Sequence, residues 1–251
     1  MRRLAAAFAI LVGAQSASAE TLAVALSTQA VEITSNFTGT SLTIFGAVER
    51  GDGGLAPTQG YDIAVVVRGP GEPAVTWQKE RFLGIFVNRR AQTFDDAPVF
   101  YAVVSSRPLE TMASDETLAA NDLGLAHLRL GDGGGASASE RDFRTAFLRL
   151  KAAAHLFSED ATKVALRGSS IFQAEVDIPS NVPVGPYTAM VYLFDHGTLI
   201  SKNSQTFAIA KTGFEEVVTD FARQHALLYG VVCVLMALSA GWLAGLIFRR
   251  D

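Results

Sequence analysis

The feature that most constrains this chain is an uncharged, apolar run of 23 residues near its C-terminus, Ala226–Phe248, with Arg249 and Arg250 directly behind it. As an α-helix at ~1.5 Å per residue it reaches ~35 Å, enough to cross ~30 Å of hydrocarbon with modest tilt. Tyr229 and Trp242 lie toward its two ends, where amphipathic rings favour the membrane interface. Basic residues resist translocation, so Arg249 and Arg250 read as topology anchors that hold residues 249–251 in the cytoplasm. The expected topology is N-terminus out and C-terminus in, and any message to the interior has to pass through a partner in the membrane.

The other end of the chain is also apolar. Arg2 and Arg3 precede an apolar run over residues 4–12, and Ala17-Ser18-Ala19 supplies the small residues a signal peptidase accepts. Residues 1–19 therefore read as a signal peptide of bacterial type, leaving Glu20 first in the mature chain; the run is too short to span a bilayer. Together the two ends predict a bacterial inner-membrane protein with one span and its N-terminal part in the periplasm.

The exported stretch, residues 20–225, is long enough to bury roughly 70% of its unfolded surface in one sizeable domain or two small ones. The net charge of −4 and the lack of any Lys/Arg stripe argue against nucleic acid as a partner. The single cysteine, Cys233, falls in the span and reads as a small apolar packing residue, so disulfides cannot hold the exported part together.

Within that part, Val31-Glu32-Ile33-Thr34 and Phe172-Gln173-Ala174-Glu175-Val176-Asp177-Ile178 alternate apolar and polar, the mark of strands with one face on a core. Residues 42–48, 63–67, 82–87, 99–104 and 187–194 are apolar on both faces or nearly so, which predicts central strands covered on both sides. Gly, Pro, Asp and Asn clusters between them, Asp95-Asp96 included, read as sharp turns. The pattern favours a mainly β fold, an immunoglobulin-like antiparallel sandwich over residues 20–211, to which Pro186-Tyr187 adds the look of a tyrosine-pinned strand corner.

From about residue 109 to 160 alanine, leucine and charge replace β-branched residues. Ser114 predicts a short helix over 115–120, and Ser139 with Asp142 predicts the start of a longer one. Phe143, Phe147, Leu150, Ala154 and Phe157 then recur at helical spacing. The stretch reads as a helical insert on the sandwich; the alternative is a divider between two small β domains. Thr212-Gly213-Phe214-Glu215 fits a capping box that opens a juxtamembrane helix over 212–225, able to run on into the span.

Chemistry is harder to find. His127, His155, His196 and His225 show no i, i+2 or i, i+4 pair, so no metal-ligand pair is pre-formed. Asp95-Asp96 reads as solvated turn residues. There is no Gly-x-Ser-x-Gly elbow, and the glycine-rich loops at residues 51–54 and 131–135 lack the lysine that a phosphate cradle needs. Asn36-Phe37-Thr38 matches a glycosylation sequon that a bacterial host does not use. No cofactor, catalytic or metal residue is assigned. In the span, Ala237, Gly241 and Gly245 recur every four residues and leave one strip bare enough for a partner helix, a second copy or another membrane protein.

Leu26-Ser27-Thr28-Gln29, Ile33-Thr34-Ser35-Asn36-Phe37-Thr38-Gly39, Val67-Arg68-Gly69-Pro70, Phe82-Leu83-Gly84-Ile85-Phe86-Val87-Asn88 and Val182-Pro183-Val184-Gly185-Pro186-Tyr187, taken with the signal and the span, carry a further indication. In these motifs and over nearly its whole length the chain resembles the family of putative transmembrane proteins of alphaproteobacteria. That resemblance implies an envelope address and brings no activity or catalytic residues. The functional expectation is a non-catalytic accessory or interaction subunit that meets the lipid bilayer and another inner-membrane or envelope protein, such as a transporter. The alternatives are a tethered binder of a small solute or anion, should Arg68, Arg89, Arg90 and Arg107 meet, and an envelope hydrolase, for which no nucleophile and base are spaced as a set.

Overall fold

Residue 65 sits at the centre of the architecture, on a strand covered from both sides. The computed structural model describes residues 20–49, 60–82, 84–131, 137–168, 170–211, 218 and 221–248. The signal segment, the glycine loop at 51–54, most of the loop at 131–135, the capping box at 212–215 and the arginines at 249 and 250 lie outside the described residues.

The described chain is mainly β, with an apolar helix at its C-terminal end. A four-stranded antiparallel sheet has the order β1 (Thr21–Leu26), β3 (Gly39–Glu49), β10 (Ile171–Pro179), β9 (Val164–Arg167). A six-stranded sheet runs β2 (Ala30–Ile33), β12 (Thr198–Lys211), β11 (Gly185–Asp195), β4 (Asp62–Arg68), β7 (Tyr101–Ser105), β8 (Phe157–Ala161). The strands β5 (Gly71–Phe82) and β6 (Ile85–Pro98) pair with each other as a two-stranded ribbon. Helices α1 (Leu109–Met112), α2 (Asp115–Ala120) and α3 (Ala138–Ala153) fall between β7 and β8, and α4 (Ala226–Phe248) closes the chain.

The six-stranded sheet is buried on both faces because its middle strands are apolar at every position. On β4, Ile63, Val65 and Val67 join one core while Ala64 and Val66 join the other. β7 divides in the same way, Ala102 and Val104 against Tyr101 and Val103. The first core lies between the two sheets and takes Leu42, Ile44, Phe172, Ala174, Val176 and Ile178 from the smaller one. The second is capped by Leu109, Met112, Leu118, Phe143 and Phe147 of the helices. The alternating strand read at residues 172–178 is borne out, its apolar side chains inward. Gly46 lies opposite Phe172, and a Cβ there would come 2.2 Å from the Phe172 ring, so glycine is what lets that ring enter the core.

Several expectations need correcting. The six-stranded sheet is mixed, since β2–β12 and β7–β8 pair in parallel; the second of these pairings is made possible by the helices, which supply the crossover a parallel neighbour requires. Residues 42–48 are half-buried, with Phe45 exposed. Ser114 caps α2 as expected, accepting from the Thr117 N–H at 3.3 Å. The longer helix starts two residues earlier than Ser139: Ser137 and Glu140 form a reciprocal capping box, in which a glutamate at the third helical position reaches back to the cap. That helix ends at Ala153, His155 takes φ +57, and Phe157 opens β8 rather than extending the helical face. Leu150 is exposed accordingly. Asp95-Asp96 lies within β6, not in a turn.

Candidate interaction surface

The ribbon grows out of the central sheet without a break in its ladder. Arg68 pairs with Tyr101, the Gly69 N–H donates to the Phe100 carbonyl at 2.9 Å, the Val99 N–H donates to the Pro70 carbonyl at 2.9 Å, and Gly71 pairs with Pro98. Near its root the ribbon is packed: Phe94 is fully buried, 5.0 Å from the Phe147 ring centroid of α3, and Arg68 reaches Asp96 at 3.3 Å. A Cβ at Gly71 would lie 1.7 Å from Asp96 Oδ1, so any other residue there would require the exposed Asp96 carboxylate to swing away from Arg68.

Farther out the packing stops while the hydrophobicity does not. Phe86 is 72% exposed, Ile85 63%, Trp77 55% and Phe82 53%. Phe82 and Ile85 are the last pair before the connection, where Gly84 takes φ +87. The run at residues 82–87, expected as a central covered strand, is therefore the exposed end of a hairpin. A short apolar run has the same sequence signature whether a core covers it or not.

The ribbon's flanks are basic. Over residues 79–90 it carries Lys79, Arg81, Arg89 and Arg90 against the single carboxylate of Glu80, in a chain whose formal net charge is −4. Glu80 holds Arg89 Nη1 at 3.4 Å and Arg90 Nε at 3.5 Å. Between ribbon and α3 opens a cleft of about 460 Å³ lined by Trp77, Lys79, Arg90, Asp142, Phe143 and Arg149, among others.

The four arginines considered as an anion site are not brought together. Arg68 and Arg107 lie at opposite ends of the β4–β7 pair, bound to Asp96 and Asp62 respectively, while Arg89 and Arg90 sit on the ribbon and share Glu80. Of the four, only Arg90 lines the cleft. The histidines are equally dispersed: His127 contacts Asp115 at 3.2 Å, His196 contacts Asp195 at 2.6 Å, and the His225 ring lies 5.6 Å from that of Phe221. Among the described residues no group of three or more His, Cys, Asp or Glu side chains is placed to hold a metal ion.

The buried tyrosines have structural work. Tyr101 donates to the Asp122 carbonyl at 2.8 Å and accepts from the Gly124 N–H at 3.1 Å, which pins the loop that follows α2. Tyr187 donates to the Pro183 carbonyl at 2.6 Å. Burial pushes the hydroxyls of Tyr101, Tyr187 and Tyr192 above the usual phenol range.

At the C-terminal end, residues Ala226–Gly245 of α4 are long and apolar enough to cross a membrane, and none of this window is buried in the protein. Ala237, Gly241 and Gly245 fall on successive turns, and a Cβ at Gly241 or Gly245 would meet nothing within 4 Å. The family model described as "Putative transmembrane protein (Alph_Pro_TM)" matches residues 21–250.

The chain belongs to this family. The match takes in the β strands and α4 together. No curated protein and no solved structure matches the chain. As a member of a transmembrane family with, among the described residues, one helix able to span, it is membrane-anchored.

Proposed function

We propose that this family member is a non-catalytic interaction or accessory protein of the bacterial inner membrane, with its β unit in the periplasm and the ribbon as the surface it presents to an envelope partner. The observation that carries this reading is the exposed face on which Val75 and Trp77 alternate along β5, each more than half accessible on a strand whose pairing partner is the other half of the ribbon. Apolar residues in strand register are what an extended partner segment or a flat protein surface reads. The small-residue strip at Ala237, Gly241 and Gly245 offers a second contact, with a partner helix inside the membrane.

The immunoglobulin-like character of the β unit belongs to the same proposal. Its support is the Tyr187–Pro183 hydrogen bond, which ties the start of β11 to the preceding turn as a tyrosine corner does. The parallel edges of the larger sheet are a departure from that fold.

A photo-crosslinking residue in place of Trp77, introduced in the full chain in intact membranes, tests the reading. The expected result is one heterologous adduct, identified by mass spectrometry and lost when Val75 is replaced by Lys. Recovery of the monomer alone counts against it.

A second reading, a tethered binder of a small anion, is favoured by one observation: Lys79, Arg90 and Arg149 line the same cleft as Trp77. Thermal shift of the full chain with phosphate, sulfate or citrate is expected to raise the melting temperature through ligand linkage, and Arg149→Ala to abolish the rise.

A further inference from the structure

The end of the ribbon differs from its flank. Beyond Gln78 the exposed apolar side chains among the described residues are Phe82, Ile85 and Phe86, gathered at the turn, and the polar ones around them are dominated by Lys79, Arg81, Arg89 and Arg90. Apolar rings at an end with cations behind them match the order in which a polar head-group layer covers acyl chains. We propose that this tip seats in the surface of the same bilayer that carries α4, with Phe82, Ile85 and Phe86 at the head-group boundary and Arg81 and Arg89 against anionic lipid, while Lys79 and Arg90 face the cleft beside α3.

Three observations place that surface within reach. First, the strand that leads to the membrane leaves the protein beside the root of the ribbon. On β11, Thr188 pairs with Arg68 on one side and with Thr206 on the other, so β12 runs out toward Lys211 at the same end of the sheet from which β5 departs. The two are in close contact there, since a Cβ at Gly185 would lie 3.2 Å from Pro70 Cγ while Gly185 itself pairs with Ile209. Second, the lengths agree. From the packed pair Ala74–Phe94 to Phe82 is eight residues of strand, roughly 26 Å. The 14 residues between Lys211 and Ala226 reach ~21 Å as a helix and at most ~50 Å extended. The ribbon is thus long enough to meet the surface to which the linker leads. Third, the local charge is reversed relative to the chain: four cations face one carboxylate here, against a net charge of −4 overall. A negatively charged lipid surface attracts this end and repels most of the rest.

Depth follows from the backbone. The ribbon has two open edges whose peptide groups lack partners in hydrocarbon, so the tip cannot enter the acyl region as a transmembrane strand does. It stops at the level where aromatic side chains are accommodated and peptide groups still reach water. The proposal builds on the ribbon as the interaction element and adds what its end touches.

The test uses the full chain, with Cys233→Ala, one copy per nanodisc made of equal parts phosphatidylcholine and phosphatidylglycerol. An environment-sensitive fluorophore is attached at Phe86→Cys, and at Thr198→Cys as an exposed control. Spin-labelled lipid is expected to quench the first probe and not the second, more strongly with the label near the head group than near the chain end. Arg81→Glu with Arg89→Glu should lower the seated fraction roughly ten-fold, and phosphatidylcholine alone should weaken it in the same direction. An unquenched Phe86→Cys probe overturns the proposal. So does deeper-label quenching, or shielding of the probe from iodide that appears only with two copies per disc, which would assign the tip to a second copy. The Trp77 crosslink is read separately: capture of a partner with an unquenched tip leaves the interaction reading standing while this inference falls.

Discussion

The β4–β7 pair and the β5–β6 ribbon are two halves of one continuous ladder, and they meet opposite surroundings. On β4 every residue from Ile63 to Val67 is buried, with neighbouring strands on both sides and a core on each face. Eight residues beyond the packed Ala74–Phe94 pair of the ribbon, side chains as apolar as those of β4 stand more than half exposed. Both are antiparallel ladders, the ribbon's shifted in register at Glu72/Ala74 and at Gln78/Lys79; what the ribbon lacks is flanking strands and a second layer. In the inner half, apolarity does the work of folding. In the outer half it contributes little to folding, which leaves it available for contact with something outside the chain.

That contrast can be broken most directly in the inner region. Phe172→Ala removes a fully buried ring between the two sheets, and is expected to cost about 3–5 kcal/mol, read by denaturant unfolding of the full chain in detergent. Gly46→Val is expected to cost about 1–3 kcal/mol by driving a side chain into that same ring, since backbone and ring both crowd the position; adding Phe172→Leu should restore part of the loss. Tyr187→Phe is expected to cost about 1 kcal/mol by leaving the Pro183 carbonyl without its donor.

The tyrosines also set an alkaline limit. Their folded pKa values are raised, so the stability they lend is complete below the unfolded value of about 10 and is lost as pH rises toward the folded values. Melting temperatures should hold to about pH 9 and fall above about pH 10; a flat profile past that point would contradict the burial of Tyr101 and Tyr187. The smallest effect belongs to the outer half: Phe86→Ser or Ile85→Ser should shift stability by no more than about 0.5 kcal/mol. A larger loss at either position would mean that the ribbon packs where it is described as exposed, and would erase the contrast.

Alternation made β10 legible in the sequence because each apolar residue has a polar neighbour that commits it to one face. The continuous runs at 63–67 and 99–104 were legible as covered strands for the complementary reason. The run at 82–87 obeys the same local rule and sits at a hairpin end, and no local pattern records whether another layer lies above it. Nearby cations were a usable signal: a buried strand rarely carries Lys79, Arg81, Arg89 and Arg90 at its borders. The cap of α3 was missed by two residues because Ser137 and Ser139 both precede an acid by three, and only the first is followed by a glutamate long enough to reach back. The cleft at α3 depends on how far the ribbon leans over the helix, which is a matter of tertiary packing. The span was the most legible element of all, since its signal is length and the absence of charge.

The pairing of β2 with β12 has a consequence for how the protein is made. Residues 30–33 lie alongside residues 208–211, so one of the first strands to emerge during synthesis must wait for the last. Until residues 198–211 are out, β11 lacks its outer neighbour and its edge is open to mispairing. Since the apolar helix follows only 14 residues later, closing the sheet and delivering the anchor are nearly simultaneous events, and a truncation that spares everything up to residue 197 would strand an unfinished sheet.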